Sequence, residues 1–189
     1  MNQQRRKAIR DLQIESLVSN VETARDTVLD LFEVPEDAPS WAETVTEPAL
    51  VRSLVEALRA ASEAGDIEAA QGEIQGLGDE EQECFDNLPE GLQQAERGQA
   101  MEEAASALSA AADGLAEAAS TLEGLNTVAD SLEALVDDED EAFVFASADA
   151  EAVFREALAG LLEEATSALD DALNCMESAR DDADNAVNN

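Results

Sequence analysis

The stretch AERGQAMEEAASALSAAADGLAEAASTLEGLNTVADSLEALV, running from Ala95 to Val136, decides the fold. Taking every seventh residue from Met101 gives Leu108, Leu115, Leu122, Ala129 and Val136, an apolar line at the heptad period. The companion line four residues on is mostly small: Ala105, Ala112 and Ala119, then Asn126 beside Leu125 and Glu133 beside Leu132. A seam of large residues beside small ones suits a helix packed closely against other helices. Acids fill much of the outside, at Glu102, Glu103, Asp113, Glu117, Glu123, Asp130 and Glu133. The expectation is an all-α protein, an antiparallel bundle or coiled-coil-like hairpin of long alanine-rich helices.

The segments on either side extend that pattern. Residues 3–33 read as a first helix, with Ile14, Val21 and Val28 on one heptad line and Leu17, Ala24 and Leu31 on the other. Three of the four prolines and the single Trp fall between Glu33 and Pro48, which ends that helix. Ser40 followed by Glu43 resembles a capping box, and Trp41 reads as a packing anchor, with a partner hot spot as the alternative. A second helix is expected from Glu47 to Ala64, closed by Gly65. Asp66 can cap the next segment, in which Gly72, Gly76 and Gly78 predict a kink or break near Gly76–Gly78. Pro89 disfavours helix at Leu88, so Asn87–Gly91 reads as a hinge with chain reversal. The acidic run Asp137, Asp138, Glu139, Asp140, Glu141 opposes a helix C-terminus and ends the long helix. Phe143-Val144-Phe145 reads as a loop that plugs the bundle end. Ser147 is placed to cap a last helix reaching about Asp182, with a frayed tail over Asp181–Asn189. The chain thus divides into residues 1–34, a Pro-containing segment 35–76, a hairpin core 77–136 and an acidic loop with C-terminal helix 137–189, all within one domain.

Charge sets the functional classes. The 189 residues hold 45 acids and 10 bases, a net charge of −35. Arg5, Arg6, Lys7 and Arg10 lie in the first ten residues, where there is no acid, and leave six bases for the rest of the chain. That cluster suits a helix dipole poorly and must either fray or find acidic neighbours. Phosphates are repelled by such a chain, which excludes direct nucleic-acid binding through its body and favours basic partners. Disorder also accompanies acidity, but with few apolar residues and no periodicity, whereas 45% of this chain is hydrophobic. Adaptation to high salt is the other explanation, and one Lys against nine Arg fits it.

Chemistry is poorly provided for. Histidine and tyrosine are absent, which removes common general bases and proton donors. The glycines lack any phosphate-loop spacing, and Asp137–Glu141 lacks the glycine and alternating ligands of a calcium loop. Cys84 and Cys175 have no metal spacing and read as reduced, core-side residues. No cofactor or metal is expected, and the chain is expected to be non-enzymatic. No apolar run approaches the ~20 residues of a membrane span, so the expected location is the cytoplasm.

The segment Asp79-Glu80-Glu81-Gln82-Glu83, Phe85-Asp86-Asn87-Leu88-Pro89-Glu90, Leu92-Gln93, Glu96-Arg97-Gly98 and Ala100-Met101-Glu102-Glu103-Ala104, with the basic start Met1–Ala8, resembles a family of small acidic helical proteins encoded by tailed bacteriophages and prophages. The resemblance covers residues 1–12 and 78–125. Residues 18–76 look like an insertion, and the helix from Ser147 like an extension. The resemblance implies a viral origin, a host-cell cytoplasmic location and a helical hairpin core, and carries over no catalytic or binding residue.

Carboxylates one helical turn apart lie about 6 Å apart along the axis, comparable with the charge spacing along a nucleic-acid strand. The leading expectation is therefore a DNA mimic that inhibits a basic, nucleic-acid-binding host protein. Its candidate contact residues are Glu80, Glu81, Glu83, Glu102, Glu103, Asp113, Glu117, Asp137, Asp138, Glu139, Asp140 and Glu141. Self-association through the alanine seam, giving a homodimer, and a purely salt-adapted surface are the alternatives.

Overall fold

Heptad spacing of apolar residues recurs through most of the chain, and the structure, a computed structural model, converts it into helices. It describes residues 3–12, 14–30, 47–62, 65–136 and 142–188. Among these are seven helices and no strand: α1 (Gln3–Asp11), α2 (Ile14–Asp30), α3 (Pro48–Ser62), α4 (Gly65–Asp86), α5 (Glu90–Gln93), α6 (Glu96–Glu133) and α7 (Ala148–Asn188). The protein is an all-α helical bundle in which α6 packs against α3, α4 and α7.

The seam of α6 is wider than the two lines read from sequence. Ala104, Leu108, Ala111, Leu115, Ala118, Leu122, Leu125, Ala129 and Leu132 are buried in strict alternation of four- and three-residue steps, and Ala105, Ala112 and Ala119 add a flanking column. A helix that meets more than one neighbour buries more than a two-column stripe. The seam of α7 repeats the alternation from Leu158 through Leu162, Ala165, Leu169, Ala172, Met176, Ala179 and Ala183 to Ala186. This corrects the expected end near Asp182: α7 continues to Asn188 because Ala183, Ala186 and Val187 are buried.

The helices fall into two compact units. The first comprises Met1–Ser19, Ala64–Ser120 and Ala172–Asn189, and holds α1, α4, α5, the first part of α6 and the end of α7. Here a Cβ on Gly78 of α4 would sit 3.3 Å from Leu108 Cβ and 3.7 Å from the Ala105 carbonyl oxygen. A Cβ on Gly114 of α6 would sit 3.2 Å from the Cys175 carbonyl of α7. Both glycines let helix backbones approach closely. The expected break at Gly76–Gly78 does not form, and α4 is continuous through both residues. A glycine in a helix is unfavourable by roughly 1 kcal/mol relative to alanine, which burial of Ile67, Ala70 and Ile74 against neighbours outweighs.

The second unit comprises Asn20–Glu63 and Thr121–Asp171. Val51, Leu54, Val55 and Leu58 of α3 face its core. Arg59 holds Asp130 at 2.9 Å and Glu133 at 2.6 Å, and the Ser62 hydroxyl lies 2.7 Å from Asn126 Oδ1, so the two polar interruptions of the α6 seam are met by α3. The hydrogen bond to Asp130, then that to Glu133, holds the Arg59 guanidinium above its ordinary range. Arg25 lies 2.6 Å from Asp170. Phe143, Phe145 and Phe154 form a ring cluster with centroids 4.7 to 5.9 Å apart. The first two come from a segment without regular structure, as a loop reading requires. Ser147 Oγ accepts the Ala150 amide at 3.2 Å, the expected cap of α7.

Two other boundaries are corrected and a third agrees to within a residue. The first helix is interrupted after Asp11: Leu12 is a turn residue whose amide bonds the Ile9 carbonyl at 3.2 Å, an i to i−3 bond that closes α1. Gly65 opens α4 instead of terminating α3. The long helix begins at Glu96, one residue from the start of the stretch read from Ala95, after the separate turn of α5. Trp41, the Ser40–Glu43 box, the end of the first helix at 31–33 and the run Asp137–Glu141 lie outside the described residues.

Candidate protein-interaction site

On α6, the outer carboxylates are fixed by the seam beneath them. With Leu108, Ala111, Leu115 and Ala118 turned inward, Glu102, Glu103, Asp113 and Glu117 are exposed. At about 100° per residue these four fall within an arc of about 100°, and they span about 22 Å of axis. Exposure and a common face make them a line of negative charge.

The α4 carboxylates behave differently. Ile67, Ala70, Ile74, Gly78 and Glu81 share the buried face of α4, so Glu81 stands at a core position and is 1% exposed. Its partner is Arg5 of α1: Nη1 of Arg5 donates to Glu81 Oε2, Nε donates to Glu80 Oε2 at 3.0 Å, and Nη2 lies 3.4 Å from Cys84 Sγ. The contact with Cys84 and, against the opposing effect of burial, the bonds to Glu81 and Glu80 hold the Arg5 guanidinium above its ordinary range. Glu81 is thereby removed from the candidate outer face, since a buried, paired carboxylate cannot meet a partner. Glu80 remains exposed but is engaged by Arg5, and Glu83 is exposed. Asp137, Asp138, Glu139, Asp140 and Glu141 lie outside the described residues.

Of the basic cluster, Arg5 finds acidic neighbours, one of the two outcomes expected for it. The 3–4 spacing from Ile67 through Ile74 to Glu81 was the available signal that one glutamate of the run points inward.

The turn between α4 and α6 carries a feature that charge-based reading missed. Leu92 reaches back to the Pro89 carbonyl at 2.7 Å, Asn87 Nδ2 donates to the Glu83 carbonyl at 2.8 Å, and Gln93 Nε2 donates to the Phe85 carbonyl at 3.2 Å. The last two add side-chain donors to carbonyls that also accept the Asn87 and Leu88 amides, at 3.1 and 3.0 Å. Gly98 is needed where it stands: a Cβ there would lie 2.4 Å from the carbonyl oxygens of both Leu92 and Gln93. The result is a groove of about 530 Å³ lined by Cys84, Asn87, Leu88, Leu92, Ala95, Arg97, Gly98 and Met101. Leu92 is 54% exposed. Two leucines in so short a turn were the signal for it.

Neither Cys84 nor Cys175 is in a disulfide, and both are half-buried. Among the described residues no cluster of three or more acidic or cysteine side chains is arranged to hold a metal ion, and no helix is long and apolar enough to cross a membrane. No protein-family model, curated protein or solved structure matches the chain.

Proposed function

We propose that this chain is a non-enzymatic, phage-type interaction protein that binds and inhibits a basic, nucleic-acid-binding host protein by presenting acidic helix faces as a DNA mimic. The observation that carries the reading is the exposed line of Glu102, Glu103, Asp113 and Glu117 on one face of α6. Carboxylates held on a rigid helix offer a basic protein a fixed pattern of charge without the entropy loss of ordering a flexible chain. The −35 net charge extends the attraction and accelerates encounter with a cationic surface. Self-association through the alanine seam is disfavoured, because Ala104, Ala105, Ala111, Ala112, Ala118 and Ala119 are already buried within the chain.

The test is capture of basic proteins from host lysate on the immobilised chain at 0.15 M salt, followed by elution with duplex DNA. Mimicry requires that the captured protein bind DNA itself and that duplex DNA displace it. Substituting Glu102→Lys, Glu103→Lys and Asp113→Lys together should weaken that binding at least tenfold with helicity unchanged. Unchanged affinity in the triple variant removes the α6 face from the reading, and failure of DNA to compete removes mimicry.

A further inference from the structure

α1 is a basic segment seated on carboxylates, and its seat is small. The first ten residues carry four bases and no acid. Three nitrogens of one side chain make the contact with α4: Arg5 Nε on Glu80, Nη1 on the buried Glu81, and Nη2 on Cys84 Sγ. Among the α1 side chains described, only Ile9 is buried. At about 100° per residue, Arg6, Arg10 and Lys7 lie about 100°, 140° and 200° around the helix from Arg5. They face away from that seat, and among the described residues none of the three is in an ion pair. Little else holds α1 as a helix. Its first turn has no acid to offset the dipole. Nine residues are too few to stay helical in water alone. Leu12, a turn residue, divides it from α2, which starts afresh at Ile14.

We propose that α1 is a self-docked strap over an arginine-binding site on α4, and that an arginine-rich segment of the partner displaces it, placing its own guanidinium on Glu80 and Glu81. The proposal rests on the basic-partner reading above and adds a gated, selective site to the open face of α6. Glu81 is closed to a partner while α1 is docked. Unaided departure of α1 leaves Glu81 without its cation, which keeps the strap shut until another guanidinium is at hand. The seat fits arginine because it engages three nitrogens of a planar fork, whereas an ammonium is a single point of charge. Arg6, Lys7 and Arg10 sharpen the gate. Docked, they repel a basic arrival; leaving with α1, they uncover an acidic surface that attracts it.

Two fluorescein-labelled peptides, one of eight arginines and one of eight lysines, test this on the full-length chain at 0.15 M NaCl. Anisotropy gives their affinities, and hydrogen exchange with mass spectrometry reads the amides of α1 and, as an internal control, those of α6. Saturation with the arginine peptide should speed exchange of the α1 amides about tenfold or more, because the displaced helix melts, and leave α6 unchanged. The lysine peptide at equal occupancy should leave α1 protected. Arg5→Lys, which keeps the charge but loses the fork, should raise affinity for the arginine peptide about threefold or more, since less of the chain is held closed. Unchanged α1 protection at saturation with the arginine peptide overturns the strap and leaves the basic-partner reading standing. Equal release of α1 by the two peptides overturns the arginine site. Faster exchange in α6 as well means unfolding in place of displacement and also overturns the proposal. Unaltered affinity in Arg5→Lys means that α1 does not compete with the peptide, with the same consequence. Binding of neither peptide, even at 0.02 M NaCl, overturns the strap and the basic-partner reading together.

Discussion

Arg5 and Glu81 are two opposite charges withdrawn from water, and their behaviour separates a structural carboxylate from the solvated majority. Glu81 is almost completely buried, and Arg5, which also bonds the exposed Glu80, retains 16% side-chain exposure. Truncating one member of such a pair strands the other without compensation, which is where most of the penalty arises. Arg5→Ala is expected to destabilise the chain by about 3 kcal/mol in urea unfolding. The double variant Arg5→Met with Glu81→Met should recover most of that loss, because neither charge is then left unpaired. A loss below about 0.5 kcal/mol in the single variant would place Arg5 among ordinary surface residues. The pH dependence carries a definite sign. The Arg5 pKa is raised, so its stabilising effect is fully present below the ordinary arginine range and declines only as pH rises through the still higher folded value. Alkali up to pH 11 should therefore leave this contact intact.

At the scale of the helices, glycine separates the legible from the illegible. Gly72 and Gly76 of α4 have open space where a Cβ would stand, whereas Gly98 faces two carbonyl oxygens at 2.4 Å. Gly72→Ala and Gly76→Ala should each stabilise the chain by about 0.5–1 kcal/mol, through helix propensity and a less flexible unfolded chain. Gly98→Ala should destabilise by at least about 2 kcal/mol, since backbone must move to admit the methyl group. Thermal melts of the three variants, measured by circular dichroism, check both signs. The same glycines explain why the break at Gly76–Gly78 was expected and does not occur. Propensity is visible in sequence, but the close approach of α4 to Leu108 that uses Gly78 is a tertiary fact. The α6 and α7 heptads were legible because a 3.5-residue period survives any choice of neighbour. The end of α7 was not, because alanines at 183 and 186 within a polar tail resemble exposed residues until a neighbour covers them. Of the candidate site, the four α6 carboxylates were legible as the reverse of the seam. Glu81 was not, since its heptad position competed with an acidic run that reads as surface, and the Leu92 groove requires the path of the turn.

For the whole molecule, 45 acids against 10 bases leave most carboxylates without a basic side chain to pair with, while Arg5, Arg25, Arg59, Arg155 and Arg180 are engaged with acids. Self-repulsion must then oppose folding, and its reach is set by ionic strength. At 0.01 M salt the Debye length is about 30 Å and charges repel across much of a helix length, whereas at 1 M it is about 3 Å and only adjacent charges interact. If screening is the whole effect, the melting temperature should rise by about 10 °C between 0.01 and 0.5 M NaCl, equivalent to roughly 3 kcal/mol for a chain of this size, and then level off. Tetramethylammonium chloride should act as well as NaCl, since screening depends on ionic strength and not on cation identity. A melting temperature that climbs on into molar salt, or that responds to potassium and sodium but not to tetramethylammonium, would mean that hydrated cations are part of the folded surface. In that case the acidity belongs to salt adaptation, and the α6 carboxylates have a role without any partner. A plateau reached below 1 M leaves those carboxylates a destabilising feature that the fold retains, and such a feature needs a function to account for it.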